Sequence, residues 1–290
     1  MSFLGAWAGS ECAVQVTSRL ATAMMPGRSG APAWHEQVEL PADAVRPGLQ
    51  GTNVDAAALS ASLGQLGAAA PHRIGAVTLV LPDACTKLRV VPIETEEAPG
   101  SRAGAEIVRW AIRDALPFAE DEALIDTQMF DTGSPTRLLV AAAHRDVLRE
   151  YEDALAVIGP VVRTLPATIA AAWSIDDDPD QHLLVHADHD ALGCMVSGAG
   201  VPLFVRTRPL PRSEETLVDA VMETLDYAGE RLGTEPGLAT VAGLAADAAG
   251  LDDALIARGW ALSRTSPDGV ELGGRFAALS GALRAAEAGI

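Results

Sequence analysis

Apolar and polar positions along the chain recur with two different periodicities, and each periodicity predicts its own kind of secondary-structure element. Short apolar or alternating runs predict strands, whereas apolar residues three or four positions apart predict helices. The predicted strands are 3–8, 12–18, 74–81, 86–93, 124–130, 137–143, 183–188, 192–197, 202–207 and 239–242. The predicted helices are 54–67, 103–116, 145–158, 213–232, 246–258 and 275–287. Because strands alternate with helices, we expect an α/β or mixed α+β protein.

The chain shows signs of two halves. The charged, proline-containing stretch 174–181 (SIDDDPDQ) is the best candidate for a boundary. Segments 3–18 and 183–198 share one pattern, a strand, a turn of small residues and a second strand. A duplicated fold in which a hairpin opens each half would produce this weak internal similarity.

Composition excludes several classes of function. The chain has 290 residues, 49% of them hydrophobic, and a formal net charge of -18. An acidic surface repels nucleic-acid phosphates and anionic lipid leaflets, so we expect neither nucleic-acid binding nor direct membrane insertion. No stretch approaches the roughly 20 apolar residues of a spanning helix, and the first residues lack the basic segment of a signal peptide. Three distant cysteines suit a reducing compartment. We therefore expect a cytoplasmic protein that reaches a membrane only through a protein partner.

A cluster of histidines and aspartates at 186–190 invites a metal site. On a continuing strand, His186, Asp188 and Asp190 would share one face, and these residue types are good zinc or manganese ligands. No second motif with ligand spacing accompanies them. We favour a polar turn and expect no metal.

Two further motifs have simpler explanations. The segment 131–134 (DTGS) matches the aspartic-protease tripeptide, but that chemistry needs two such carboxylates and the chain has one copy. Since it lies between two strand-like runs, we predict a hairpin turn. The basic stretch 205–212 (VRTRPLPR) is either a solvated edge or, less commonly, a contact for an acidic partner.

The helix near 105–116 has more apolar surface than one packing stripe needs. One stripe contains Ile107 and Trp110, and the adjoining flank contains Val108 and Ile112. Pro117 ends the helix. Trp110 is therefore either a core residue or an exposed anchor for a peptide, and the sequence leaves both open.

The order of these pieces resembles the PilM family of actin-like proteins of type IV pilus assembly and, more distantly, the cell-division protein FtsA. The segment 77–173 carries the resemblance through its strand, Leu-Pro, strand unit and its helix ending in Pro-Phe (EIVRWAIRDALPF). A hairpin, an Ala-Ala step and the helix PATIAAAW follow as in the family. The flanks match by order only, and 276–285 (FAALSGALRA) resembles the closing helix, from which we expect a complete chain.

The resemblance implies a two-lobed actin-like (ribonuclease H-like) fold with an inserted 1C-type subdomain. The first lobe would span 1–175 and include the subdomain at about 82–165. The second lobe would span 176–290, and its C-terminal helix would return to the first lobe.

The three nucleotide motifs of the family depart from their pattern in this chain. Trp7 stands where Gly-x-Asp-x-Gly-Ser has its carboxylate, His186 replaces the aspartate of Asp-x-Gly, and Gly243 is followed by Leu244 instead of glycine. Magnesium prefers carboxylate and water oxygens, and a side chain in place of glycine keeps phosphates away from backbone N–H groups.

The resemblance thus implies a degenerate nucleotide cleft at Gly9, Ser10, Asp188 and Gly243, with no cofactor. The alternative is a divergent ATPase that still binds ATP and magnesium. A sugar-kinase-like enzyme is a weaker alternative, because we find no candidate general base.

The resemblance also implies partners. The family binds the cytoplasmic tail of a PilN-like bitopic inner-membrane protein, so we expect a scaffold docked beside the inner membrane of a pilus or secretion machine. Other platform proteins and a second copy of the chain are further expected partners. Trp110, Phe118 and Ile107 are the expected contacts for the tail.

Overall fold

The computed structural model describes residues 11–27, 32–93, 102–113, 116–130, 136–175, 181–210, 216–232, 237–263 and 276–288. The strands in these ranges are β1 Cys12–Val16, β2 Leu20–Met25, β3 Trp34–Glu39, β4 Val77–Leu81, β5 Thr86–Ile93, β6 Ala123–Phe130, β7 Thr136–His144, β8 Val161–Pro166, β9 Gln181–Ala187, β10 Ala191–Gly198, β11 Val201–Pro209, β12 Leu238–Gly243 and β13 Ala261–Ser263. The α-helices are α1 Ala56–Ala69, α2 Arg102–Arg113, α3 Arg145–Leu155, α4 Ala167–Ala172, α5 Leu217–Leu232, α6 Leu251–Ala257 and α7 Ala277–Ala288.

The first and second sheets have the same topology. The first has the order β3-β2-β1-β4-β8, and the second has the order β11-β10-β9-β12-β13. In each, three antiparallel strands come first and two strands parallel to the central one follow. The central strands β1 and β4 are buried along their whole length, as expected for strands covered on both faces. The repeat that the sequence suggested is therefore present.

The first half begins with a different hairpin from the predicted one. The predicted strand 12–18 is confirmed as β1, but it is the first strand of its hairpin and pairs with β2. Sequence patterns missed β2 and β3, because LATAMM has little β propensity and most of β3 (WHEQVE) is exposed. The predicted strand 3–8 lies outside the described residues.

The third sheet has the order β5-β7-β6 and is covered on both faces. On one face, Leu138 and Val140 of β7 pack against Val108 and Ile112 of α2. On the other face, alternate β7 residues such as Leu139 join the main core. This alternation follows from the two-residue period of a strand.

The subdomain predicted at about 82–165 stays a prediction, and its described residues divide between two sheets. The third sheet ends at His144, after which α3 packs against α1 and β8 pairs with β4 in the first sheet. Residues 145–166 thus belong with the first sheet, because they bury their apolar side chains there. The predicted lobe boundary at 175 borders residues outside the described ranges and stays a prediction.

Helix α7 packs on the first sheet and on α4. A Cβ on Gly281 of α7 would lie 1.8 Å from the carbonyl oxygen of Ala170, so only glycine allows the two helices to approach this closely. Leu279 and Ala282 of α7 are buried in the same core as β1 and β4.

Candidate functional site

Two hairpin turns, one from each of the duplicated sheets, meet at the candidate site. The β1–β2 turn presents Thr17 and Ser18, and the β9–β10 turn presents His189 and Asp190. Thr17 Oγ1 lies 3.2 Å from His189 Nδ1, and the backbone N–H of Ser18 donates to Asp190 Oδ2 at 2.8 Å. These hydrogen bonds hold the two turns face to face.

Gly243 closes a third side of the site. It is the last residue of β12 and has a φ of 66°, and a Cβ there would lie 2.1 Å from the carbonyl oxygen of Ala187. Both the conformation and the close approach therefore require glycine. Leu244, which takes the place of a second glycine, begins a short 3-10 turn.

A small cavity of about 280 Å³ lies between these three segments. Its polar lining comes from Gln15, Thr17, Thr22, Gln37, His186, Asp188 and His189, and no Lys or Arg occurs among the described residues that line it. The volume is slightly below the 300–1,000 Å³ or so that ligand pockets usually have. The cavity therefore offers hydrogen-bonding groups but no cation for a phosphate.

A buried set of ionisable groups lies beneath the cavity. Asp83, which follows β4, accepts hydrogen bonds from the backbone N–H (3.0 Å) and the hydroxyl (2.5 Å) of Thr168. It thereby caps α4, whose own N-cap residue, Pro166, makes no side-chain cap. His186 Nδ1 lies 3.9 Å from Asp83 Oδ2. Asp188 Oδ1 accepts from the N–H groups of Asp190 and Ala191, and its Oδ2 has no hydrogen-bond partner among the described residues.

Burial determines the charges of this set. Burial raises the pKa of Asp83 to about 6 and lowers the pKa of His186 to about 4. Burial, and then the charges of Asp83 and Asp190, raise the pKa of Asp188 to about 8. At neutral pH His186 is therefore neutral and Asp188 is largely protonated, so this residue presents little negative charge to a magnesium ion.

The prediction of a polar turn is confirmed for residues 188–190. Strand β9 ends at Ala187, so His186 lies on the strand while Asp188 and Asp190 lie in the turn. In the described part of the chain, no group of three or more His, Cys, Asp or Glu side chains could hold a metal ion. That the protein binds no metal stays a prediction.

The predicted cleft residues divide into two groups. Asp188 and Gly243 line the same cavity. Gly9 and Ser10 lie outside the described residues, as does the predicted hairpin turn at 131–134. The described turn that faces Asp190 is instead Thr17–Arg19.

Sequence patterns missed Asp83 and Thr168, although one signal pointed to them. Both are polar residues two positions after the end of a buried parallel strand, and Asp188 comes directly after another. In open α/β sheets, functional groups gather at the carboxyl ends of such strands. The resemblance predicted the helix that contains Thr168, but because β8 was not among the predicted strands, this residue could not be placed at a strand end.

A wide cleft of about 1470 Å³ adjoins the two turns. Residues of both duplicated sheets and of the start of β5 line it. Its charged side chains have both signs, and they include Arg19, Lys87 and Asp190. In this cleft an anion would meet more than one cation.

The expected tail contacts occupy different environments. Trp110 is 69% exposed, which excludes the core interpretation, whereas Val108 and Ile112 on the other flank of α2 are buried. Ile107 is half-buried. Phe118 is also half-buried, and its ring meets that of His144 edge-on at 4.9 Å. Trp110 is thus the most available of the three.

The described part of the basic stretch 205–212 is paired within the chain. Arg206 and Arg208 lie 3.3 and 2.8 Å from the Glu223 carboxylate of α5, and Arg206 also stacks on Tyr227. This arrangement favours the solvated-edge interpretation over a contact for an acidic partner.

Comparison with known proteins gives the fold a name. No protein-family model matches the sequence, and no curated protein matches it either. Among solved structures, a chain of the PilM–PilN type IV pilus biogenesis complex is 17% identical, with a TM-score of 0.77 over 96% of this chain and 99% of that one. The chain has an actin-like fold.

Two further structures share the actin-like fold. One is a Bacteroides thetaiotaomicron protein of unknown function with an actin-like ATPase fold, 10% identical, with a TM-score of 0.54 over 93% of this chain and 94% of that one. The other is the cytoplasmic domain of EpsL, an inner-membrane component of the type II secretion system of Vibrio cholerae. It is 14% identical, with a TM-score of 0.51 over 79% of this chain and 80% of that one.

The predicted fold class and the resemblance to PilM in fold are therefore confirmed. The β9–β10 turn and Gly243, where the resemblance placed the second and third nucleotide motifs, line one cavity, whereas the place of the first motif lies outside the described residues. In the described residues, no helix combines the length and the hydropathy that crossing a membrane requires.

Proposed function

We propose that this chain is a non-enzymatic cytoplasmic scaffold of a type IV pilus or related secretion platform. It binds the cytoplasmic tail of a PilN-like bitopic membrane protein and reaches the inner membrane through that partner. The observation that carries the proposal is the actin-like fold shared with a chain of the PilM–PilN complex over 96% of this chain. The likeness to EpsL supports the same setting.

The chemistry of the cavity supports a role without ATP hydrolysis. Phosphoryl transfer depends on cations that neutralise the phosphates and on carboxylates that hold magnesium. The cavity between the turns has no Lys or Arg among its described lining residues, and burial keeps Asp188 largely protonated. We therefore infer a pseudo-ATPase whose hairpins are retained to join the two sheets.

A divergent ATPase is the second candidate, and one observation favours it. The wide cleft beside the turns brings Arg19 and Lys87 near the β9–β10 turn, where they could meet phosphates. Titration with ATP and magnesium separates the two candidates, because only the second requires binding in this cleft.

The inserted subdomain is the proposed docking region for the tail. Trp110 lies on the outer face of α2, and an exposed tryptophan that carries no core packing is well suited to anchor an apolar side chain of a partner. Other platform proteins, and a second copy of this chain, would use remaining surfaces of the two lobes.

The direct test is a titration with a tail peptide. A fluorescein-labelled peptide with the cytoplasmic residues of the single-span membrane protein encoded beside this chain should bind with a Kd of about 1 μM. The affinity is modest because an extended tail loses conformational entropy when it is ordered. A scrambled peptide is the control, and equal binding of both peptides, or of neither, contradicts the proposal.

A further inference from the structure

A buried cluster of ionisable side chains, Asp83, His186 and Asp188, lies where the two duplicated sheets meet. Asp83 follows β4 of the first sheet, whereas His186 and Asp188 lie at and just after the end of β9 in the second. Each of the three residues is at most 4% exposed. His186 Nδ1 and Asp83 Oδ2 are 3.9 Å apart, which is too long for a hydrogen bond. The sheets therefore contact each other at this cluster without a bond between these two groups.

The elements around the cluster are tightly packed. The carboxylate of Asp83 is held by the backbone N–H and the hydroxyl of Thr168. A Cβ on Gly193 of β10 would lie 1.8 Å from the same hydroxyl oxygen, so α4 and the second sheet approach as closely as only glycine allows. Two buried atoms, His186 Nδ1 and Asp188 Oδ2, have no hydrogen-bond partner among the described residues. The junction thus leaves little room for water to enter while the sheets stay in contact.

The acidic neighbours of Asp188 oppose its ionisation. Burial is the largest reason why the pKa of Asp188 is about 8, and the charges of Asp83 and Asp190 raise this pKa further. Burial also raises the pKa of Asp83 to about 6, an effect that the hydrogen bonds from Thr168 reduce. At neutral pH the cluster therefore contains one ionised carboxylate, on Asp83, and one protonated carboxyl group, on Asp188.

The other titratable groups near Asp188 supply no buried cation. Burial lowers the pKa of His186 to about 4 and raises the pKa of Cys85 to about 12, so both are neutral. Burial also lowers the pKa of His189, with smaller opposing effects of Asp190 and Arg19. Arg19 itself is exposed at the β1–β2 turn, where water and salt screen its charge. Among these neighbours, a second carboxylate charge in the cluster would meet no buried cation.

We propose that the proton on Asp188 holds the two duplicated sheets together, and that its loss separates the β9–β10 turn from the first sheet. Two like charges in a junction of low polarity repel each other, and access to water relieves both. The two hydrogen bonds that join the hairpin turns would open with this movement. The inference concerns the junction alone and does not depend on the tail of a membrane partner.

The test measures the distance between the two sheets as the pH changes. Spin labels are attached to cysteines introduced in Glu36→Cys on β3 and Glu230→Cys on α5, both exposed positions, while the native cysteines are buried. The mean distance between the labels should increase from about pH 7 to about pH 9, with a midpoint at about pH 8. Asp188→Asn should abolish the increase, because asparagine cannot ionise. Asp253→Asn, which changes an exposed carboxylate on α6, should behave as the parent does.

Each other result counts against the inference. A constant distance in the parent over this pH range overturns it, and so does an increase that persists in Asp188→Asn, since another group would then be responsible. If Asp188→Asn fails to fold, Asp83→Asn replaces it, because this variant removes the charge that ionised Asp188 would meet. An undiminished increase in Asp83→Asn overturns the inference. Loss of the increase in Asp253→Asn would assign the effect to the overall charge of the protein and also overturns it.

Discussion

Replacing Asp188 by asparagine should change how stability depends on pH. Asp188 is buried, and its pKa rises from 3.8 to about 8. Because the folded state holds this proton more tightly than the unfolded state, Asp188 favours folding at low pH. That contribution is lost as the pH rises from the unfolded pKa towards the folded one. Asparagine keeps the oxygen that accepts from the N–H groups of Asp190 and Ala191, but it cannot ionise.

The magnitude follows from the linkage slope, which is about 1.4 kcal/mol per pH unit. We choose the interval from about pH 6.5 to about pH 8, and the opposite effect of His186 cancels because the parent and the variant both contain this residue. At the full slope, the free energy of unfolding would change by about 2 kcal/mol over this interval. Ionisation of native Asp188 near its own pKa reduces the expected loss to about 1.5 kcal/mol.

Urea unfolding at several pH values measures this difference. Between the two ends of the interval, the free energy of unfolding of the parent should fall by about 1.5 kcal/mol more than that of Asp188→Asn. The variant should therefore gain relative stability as the pH rises. Parallel curves for the two proteins would show that Asp188 is already charged in the folded state, and the account of the buried cluster would then be wrong.

Three other predictions concern separate parts of the molecule. Trp110→Ala should weaken binding of the tail peptide by about 2 kcal/mol or more and leave the Tm almost unchanged. The buried control Ile112→Ala should instead lose about 2–5 kcal/mol of stability. Unaltered tail affinity in a folded Trp110→Ala would exclude the anchor role. Calorimetric titration should detect no magnesium–ATP binding tighter than about 1 mM, and a micromolar Kd would favour the ATPase alternative. Gly243→Ala should cost about 3 kcal/mol in urea unfolding, because the new Cβ meets the Ala187 carbonyl at a positive φ. Gly229→Ala, with open space around it in helix α5, should be neutral or slightly stabilising, and equal losses in both variants would contradict the close-approach argument.

The sequence predicted most of the elements in which apolar residues recur at a regular spacing. The strands at 74–81 and 86–93 and the helix at 54–67 correspond to β4, β5 and α1, since their apolar spacing matches their burial. The patterns failed at β8 and α4, where Arg163 is buried in the strand and the helix is short and rich in alanine. Such segments depend on tertiary packing more than on local pattern.

The candidate site was predictable only in part. Asp188 stood out because it departs from a family motif, and Gly243 stood out because it keeps one. Asp83 did not, because its role depends on Thr168, which is 85 positions away in sequence. The first hairpin was placed too early in the chain, since a glycine- and serine-containing run resembled a phosphate turn more closely than Thr17–Arg19 did.

The packing of α7 on α4 has a consequence for the order of folding. Leu279 and Ala282 complete a core whose other walls, β1 and β4, are made much earlier in the chain. When the first sheet has emerged from the ribosome, one of its apolar faces is therefore exposed. This face stays uncovered until the whole second sheet has been synthesised. Contacts between such distant segments slow folding and lengthen exposure to chaperones. Expressed alone, the first 175 residues should accumulate as aggregate unless the α7 segment is supplied as a separate peptide.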